Sequence, residues 1–152
     1  KLGYQDKTVI AITGDGGFQM NMQELATAVA YELPIIVCIL NNGYLGNVRQ
    51  WQEMFYNRRY SGTCLKVRKS CPTNSSGPGE HCPPYIPDFV QLAKSYGAKG
   101  IRVTHPDDVT AALQKARVNT KTPTIIEFII GSEENVLPIV PPGKPLVQMR
   151  LV

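Results

Sequence analysis

Two short runs of β-branched residues, each closed by a small polar motif, constrain this chain more than any other feature. Thr8-Val9-Ile10-Ala11-Ile12-Thr13 leads into Gly14-Asp15-Gly16, and Ile35-Ile36-Val37-Cys38-Ile39-Leu40 leads into Asn41-Asn42. Apolar runs of this length, bounded by Gly, Pro or Asn, read as strands buried on both faces. Between them Asn21 to Tyr31 reads as a helix, and Asn21 with Glu24 has the spacing of a capping box. The result is a βαβ unit with parallel strands. Parallel neighbours end on the same edge of the sheet, so Asp15 and Asn42 are delivered to one place.

A carboxylate oxygen and an amide oxygen side by side near a helix start suit a hard cation that carries a phosphate group. Mg²⁺ prefers octahedral oxygen ligands and takes one or two protein side chains together with phosphate oxygens. A backbone carbonyl just past Asn42 would add a third protein ligand. Gly14, Gly16 and Gly17 have no Cβ, so their backbone can turn sharply and approach phosphate oxygens closely. The following helix would add N–H groups and a partial positive charge. Taken singly the signals are weaker. Gly-Asp-Gly is also an ordinary turn, and Asn42-Gly43 also suits a type I′ hairpin turn. The hairpin is disfavoured because Tyr44 to Tyr56 does not alternate, whereas Val48, Trp51, Met54 and Phe55 follow a helical period.

Further along, Pro87 to Tyr96 reads as a helix ended by Gly97, and Ile101 to Val103 as a short strand. Pro106 to Val118 reads as a helix with Pro106, Asp107 and Asp108 in its first turn, and Thr124 to Ile130 as another buried strand. Strand and helix alternate, which gives an α/β, three-layer domain with a mostly parallel sheet. Pro138, Pro141, Pro142 and Pro145 make the tail irregular.

The wider pattern resembles the thiamine-diphosphate signature of the pyruvate-oxidase-like enzymes. Within that group, Phe18 to Leu25, Asn42 to Gln52 with its Gln50-Trp51-Gln52 stretch, Phe55-Tyr56, Arg59-Tyr60-Ser61, Pro87 to Ala93, Gly97, Gly100 to Val103 and Val136 to Pro141 look like the catalytic large subunit of acetolactate synthase. The resemblance implies a thiamine-diphosphate-binding fold. It also implies Asp15 and Asn42 as Mg²⁺ ligands, with the Tyr44 backbone carbonyl as the third. Gly16 and Gly17 fall where family amides meet the diphosphate, and Gly46 and Asn47 fall near the reactive ring. Many members carry Met at the position of Asn47, so that contact is more polar here. Trp51 matches a residue that shapes the acceptor-ketoacid pocket and a herbicide-binding surface. As a lone helical aromatic, Trp51 would otherwise read as core.

The implied reaction joins two pyruvates, or pyruvate and 2-ketobutyrate, with loss of CO₂, as in branched-chain amino-acid biosynthesis. The activating glutamate is expected from another domain, so no catalytic residue is identifiable here and this piece alone is expected to be inactive. FAD is expected in the full-length enzyme, as is assembly into a homo-oligomer (dimer or tetramer); the resemblance leaves open whether a regulatory small subunit joins it. Two alternatives stand beside this reading. One is a sister carboligase or decarboxylase such as glyoxylate carboligase or sulfoacetaldehyde acetyltransferase; the other is a non-catalytic assembly module.

The 152 residues suit one domain, 1–152, within a larger enzyme, and the chain opens at Lys1 without an initiator Met. No signal peptide or transmembrane run is present, and a bacterial cytoplasmic location is expected. A net charge of +4 is modest; its one cluster, Lys66, Arg68 and Lys69, reads as a solvated loop rather than a nucleic-acid surface. Residues 62–86 form a Cys- and Pro-rich insert that the family pattern does not explain. Cys64, Cys71, His81 and Cys82 offer a zinc set or a disulfide, although the spacing fits no standard zinc motif and a reducing cytosol opposes a disulfide. An exposed loop with reduced thiols is the simplest expectation, with Cys38 a small core residue.

Overall fold

Hydrophobic patterning puts the second apolar run at the centre of a parallel sheet, as its composition requires. The structure is a computed structural model that describes residues 1–66, 73–74, 77–78 and 86–151. In chain order its elements are β1 (Ile10–Gly14), α1 (Asp15–Asn21), α2 (Glu24–Ala30), β2 (Ile36–Asn41), α3 (Gly46–Phe55), β3 (Thr73–Asn74), β4 (Gly77–Pro78), α4 (Phe89–Ser95), β5 (Lys99–Val103), α5 (Val109–Arg117) and β6 (Thr124–Ile129). Short 3₁₀ turns cover Pro106–Asp108 and Leu146–Gln148. The chain divides into two compact units, one of Lys1–Asn42 with Ile86–Ile130, the other of Gly43–Tyr85 with Gly131–Val152.

In the first unit four strands run parallel in the order β1-β2-β6-β5. Alternate residues of the central strands point to opposite faces. Val37, Ile39 and Ile125 pack with Leu25, Phe89, Ala93 and Ala98, while Ile36, Cys38 and Ile126 pack with Val103, Ala112 and Ala116. Helices α2 and α4 therefore cover one face and α5 the other. Phe18 of α1 meets the fully buried Phe89 edge-on, with ring centroids 5.6 Å apart. Burial holds the Cys38 thiol above its ordinary pKa, as suits a small core residue. Asp88 caps α4 by accepting from the N–H groups of Val90 and Gln91, each at 3.0 Å.

The structure corrects three expectations. Among the described residues β1 is an edge strand, not one buried on both faces: Ile10 and Ile12 are exposed, because the helices packed on the sheet cover β2, β5 and β6 and leave β1 out of both core clusters. The crossover from β1 to β2 is two helices. The chain turns helical directly at Asp15, so Asn21 closes α1 rather than capping α2, and Gln23 takes the N-cap place without a side-chain bond. Pro106 opens a 3₁₀ turn that precedes α5, where one continuous helix was expected.

In the second unit α3 follows the Gly43 turn, so the chain does not return as a hairpin strand. Gly43 has φ 72°, and a Cβ there would also collide with the Lys66 side chain. The tail carries an isolated antiparallel bridge, Ile139 to Arg150. Much of the insert lies outside the described residues, among them Cys71, His81 and Cys82 of the zinc or disulfide set; Cys64 is a free thiol. Among the described residues no helix is long and apolar enough to cross a membrane.

Candidate functional site

Parallel pairing fixes which end of each strand reaches the site. β1 and β2 are in register from Ile10 opposite Ile36 to Gly14 opposite Leu40. Asp15 therefore follows directly on the last residue of β1, and Asn42 lies two residues past the partner of Gly14. Both belong to the carboxyl edge of the sheet, the rim at which ligands bind in open α/β folds. The expectation that adjacent strands deliver these two residues to one edge holds.

Asp15 opens α1 and is only 1% exposed. An ionised carboxylate tolerates such burial when donors or a cation surround it. Gly14 occupies the N-cap position with φ −83° and ψ 165°, and a Cβ added there would enter open space. At Gly17 a Cβ would stand 2.9 Å from Thr13 Oγ1. The backbone of α1's first turn is thus bare on the Gly14 side and tightly seated at Gly17.

The two asparagines divide their roles. Asn41, the last residue of β2, is buried and donates from Nδ2 to Glu127 Oε1 at 2.7 Å, while its carbonyl accepts from Ile130 N–H at 3.0 Å. Asn42 is half-buried and stands just beyond the strand. Glu127 is itself fully buried in β6 and accepts on Oε2 from Arg102 Nε at 2.8 Å; Arg102 in turn pairs with Asp88 at 2.8 Å. Sequence reading missed this Asn41–Glu127–Arg102–Asp88 chain. The available signal was one acidic residue inside the apolar run Thr124 to Ile130, with Arg102 opposite it in β5.

In the second unit Tyr44 is held in place from several sides. Leu65 N–H donates to Gly43 O and Leu45 N–H donates to Thr63 O, each at 2.9 Å, which makes Tyr44 and Cys64 facing bridge partners. In such a pair the bonds run through the flanking residues, so the Tyr44 carbonyl is turned away from the 63–65 segment. The Tyr44 ring is buried, with Arg49 5.4 Å and Lys66 5.6 Å from its centroid. Burial and the Cys64 side chain push the Tyr44 phenol up to about 12. Gly46 and Asn47 form the first turn of α3, and Trp51 lies on that helix 39% exposed, not in a core.

A magnesium-diphosphate group fits the donors of the first unit, the Asp15 carboxylate and the Asn42 amide oxygen at one edge of the sheet, with glycine backbone beside them. Among the described residues no group of three or more His, Cys, Asp or Glu side chains is placed to hold a metal.

The sequence profile described as "Thiamine pyrophosphate enzyme, C-terminal TPP binding domain" matches residues 1–128. The chain belongs to that family. This TPP-binding domain is 46% identical over 143 residues to the acetolactate synthase large subunit of Corynebacterium glutamicum, covering 94% of this chain and 21% of that protein. It is 36% identical over 153 residues to the acetolactate synthase isozyme 3 large subunit of Escherichia coli, covering 99% of this chain and 24% of that one. Among solved structures, a thiamine diphosphate-dependent 4-hydroxybenzoylformate decarboxylase from Rhodococcus jostii RHA1 matches with a TM-score of 0.66 at 28% identity, covering 86% of this chain and 21% of that one. The TPP-binding domain thus spans about a fifth to a quarter of the length of these relatives.

Proposed function

We propose that this domain is the cofactor-binding part of an acetolactate synthase, which joins two 2-ketoacids with release of CO₂. The observation that carries the reading is the shared carboxyl edge of β1 and β2, where Asp15 and Asn42 emerge, within a chain 36–46% identical to such subunits. In this reading Asp15 and Asn42 give side-chain oxygens to Mg²⁺ and Tyr44 gives its backbone carbonyl. Gly16 and Gly17 give backbone N–H groups of the first α1 turn to the diphosphate oxygens, and Gly14 at the N-cap has open space beside it. Gly46 and Asn47 line the region of the reactive ring, and Trp51 bounds the acceptor pocket.

Thiamine diphosphate, when bound, supplies the carbanion-stabilising chemistry that decarboxylation of a 2-ketoacid needs. The residues of this chain bind and orient it. Burial of Asp15 excludes water from the metal side and strengthens its hold on a cation. The activating glutamate comes from another domain, FAD belongs to the intact protein, and assembly is as a homo-oligomer in the cytoplasm with an optional regulatory subunit. A second reading, a decarboxylase, has support from the likeness to the Rhodococcus enzyme. Product analysis of the intact enzyme with pyruvate as sole substrate separates the two. Acetolactate is the expected product, and acetaldehyde without acetolactate would contradict the proposal.

A further inference from the structure

Helix α3 buries part of its polar side. Its apolar residues Val48 and Trp51 are 40% and 39% exposed, while Arg49 and Gln50 are buried. A helix buries its polar side when that side has specific partners. Here the partners belong to the tail. Gln50 donates from Nε2 to the Val136 carbonyl at 2.7 Å and accepts on Oε1 from the Val136 N–H at 3.0 Å, pairing with the backbone as a neighbouring strand would. Arg49 pairs with Glu53 at 3.0 Å on its own helix and with Glu133 of the tail, and its guanidinium also stacks on Tyr44 and Tyr60. A third tie is made by Arg150, which reaches the Met54 carbonyl at 3.5 Å and stacks on Phe55.

We propose that Arg49 and Gln50 are positioning residues that clamp the tail segment 133–136 against α3 and thereby hold the opposite, Trp51-bearing face in its working place. The proposal rests on the proposed function for one element, the position of Trp51 beside the acceptor ketoacid. The physical cause is the geometry of the clamp. Two backbone groups of Val136 and one carboxylate are fixed by neighbouring α3 side chains, so α3 cannot rotate without breaking all three bonds. On the opposite face Val48 and Trp51 stay exposed, while Arg150 covers Phe55.

The test uses the intact enzyme. Gln50→Met keeps the volume of the side chain and removes both amide bonds. Glu133→Gln removes one charge from a side chain that is 71% exposed, so it does not threaten folding. Arg49→Lys is the conservative rescue that keeps the charge. Hydrogen exchange is read in peptides covering 131–140 and 46–55, and steady-state kinetics with pyruvate as donor and 2-ketobutyrate as acceptor gives KM and kcat separately. In Gln50→Met and Glu133→Gln the exchange of both peptides rises, about tenfold at Val136. The acceptor KM rises while kcat changes little, and Arg49→Lys stays nearer the parent on both readouts. Unchanged exchange overturns the clamp. Faster exchange with an unaltered acceptor KM overturns the positioning role. An enzyme that makes no ligation product sinks the proposed function and the acceptor role with it, while the exchange result decides the clamp independently.

Discussion

Asp88 shows how one side chain can join two kinds of support. Its carboxylate is held below its ordinary pKa of 3.8 by the Gln91 N–H first, and against burial by Arg102 and the Val90 N–H as well. A depressed folded value means that the stabilisation is present above the unfolded pKa and fades as pH falls from about 3.8 through the lower folded value. Asp88→Asn keeps a capping oxygen but no longer titrates. The variant is therefore expected to lose less stability than the parent between about pH 4 and pH 2 when urea unfolding is followed across that range. An identical acid limb would contradict the assignment. Asp15 and Asn42 were legible in sequence because each closes a recognisable strand. Glu127 was not, because its partners Asn41 and Arg102 come from strands 86 and 25 residues away.

Among elements, the close seat of β5 under α4 depends on Gly100. A Cβ there would lie 2.8 Å from the Val90 carbonyl oxygen and 2.9 Å from Val90 Cα, both backbone atoms that cannot swing aside. Gly100→Ala is expected to destabilise the chain by about 1–3 kcal/mol, read as a lower denaturation midpoint at unchanged m-value. A midpoint equal to the parent's would show that α4 can shift. The central strands were legible as continuous apolar runs, since a strand buried on both faces has no polar face. The edge position of β1 was not, because composition reports how apolar a strand is and not how many neighbours it has. The polar face of α3 was hidden for a related reason: its partners Glu133 and Val136 are remote in sequence and irregular in structure.

At the scale of the whole molecule, the matched relatives are four to five times longer than this chain. The metal ligands proposed here are internal to it, whereas the proposal assigns the activating glutamate to another domain. The isolated chain is accordingly expected to form no acetolactate from pyruvate, even with Mg²⁺ and thiamine diphosphate in excess, in an assay that detects the intact enzyme readily. Turnover approaching that of the full enzyme would mean that the chain carries its own activating group.

The most direct measurement is calorimetric titration of thiamine diphosphate into the intact enzyme, with and without Mg²⁺, for the parent and Asp15→Ala. Binding that requires Mg²⁺ in the parent and is lost in a folded Asp15→Ala variant is the predicted result. Equal affinity in the two proteins, or binding indifferent to Mg²⁺, would contradict a cation held at the carboxyl edge of β1 and β2.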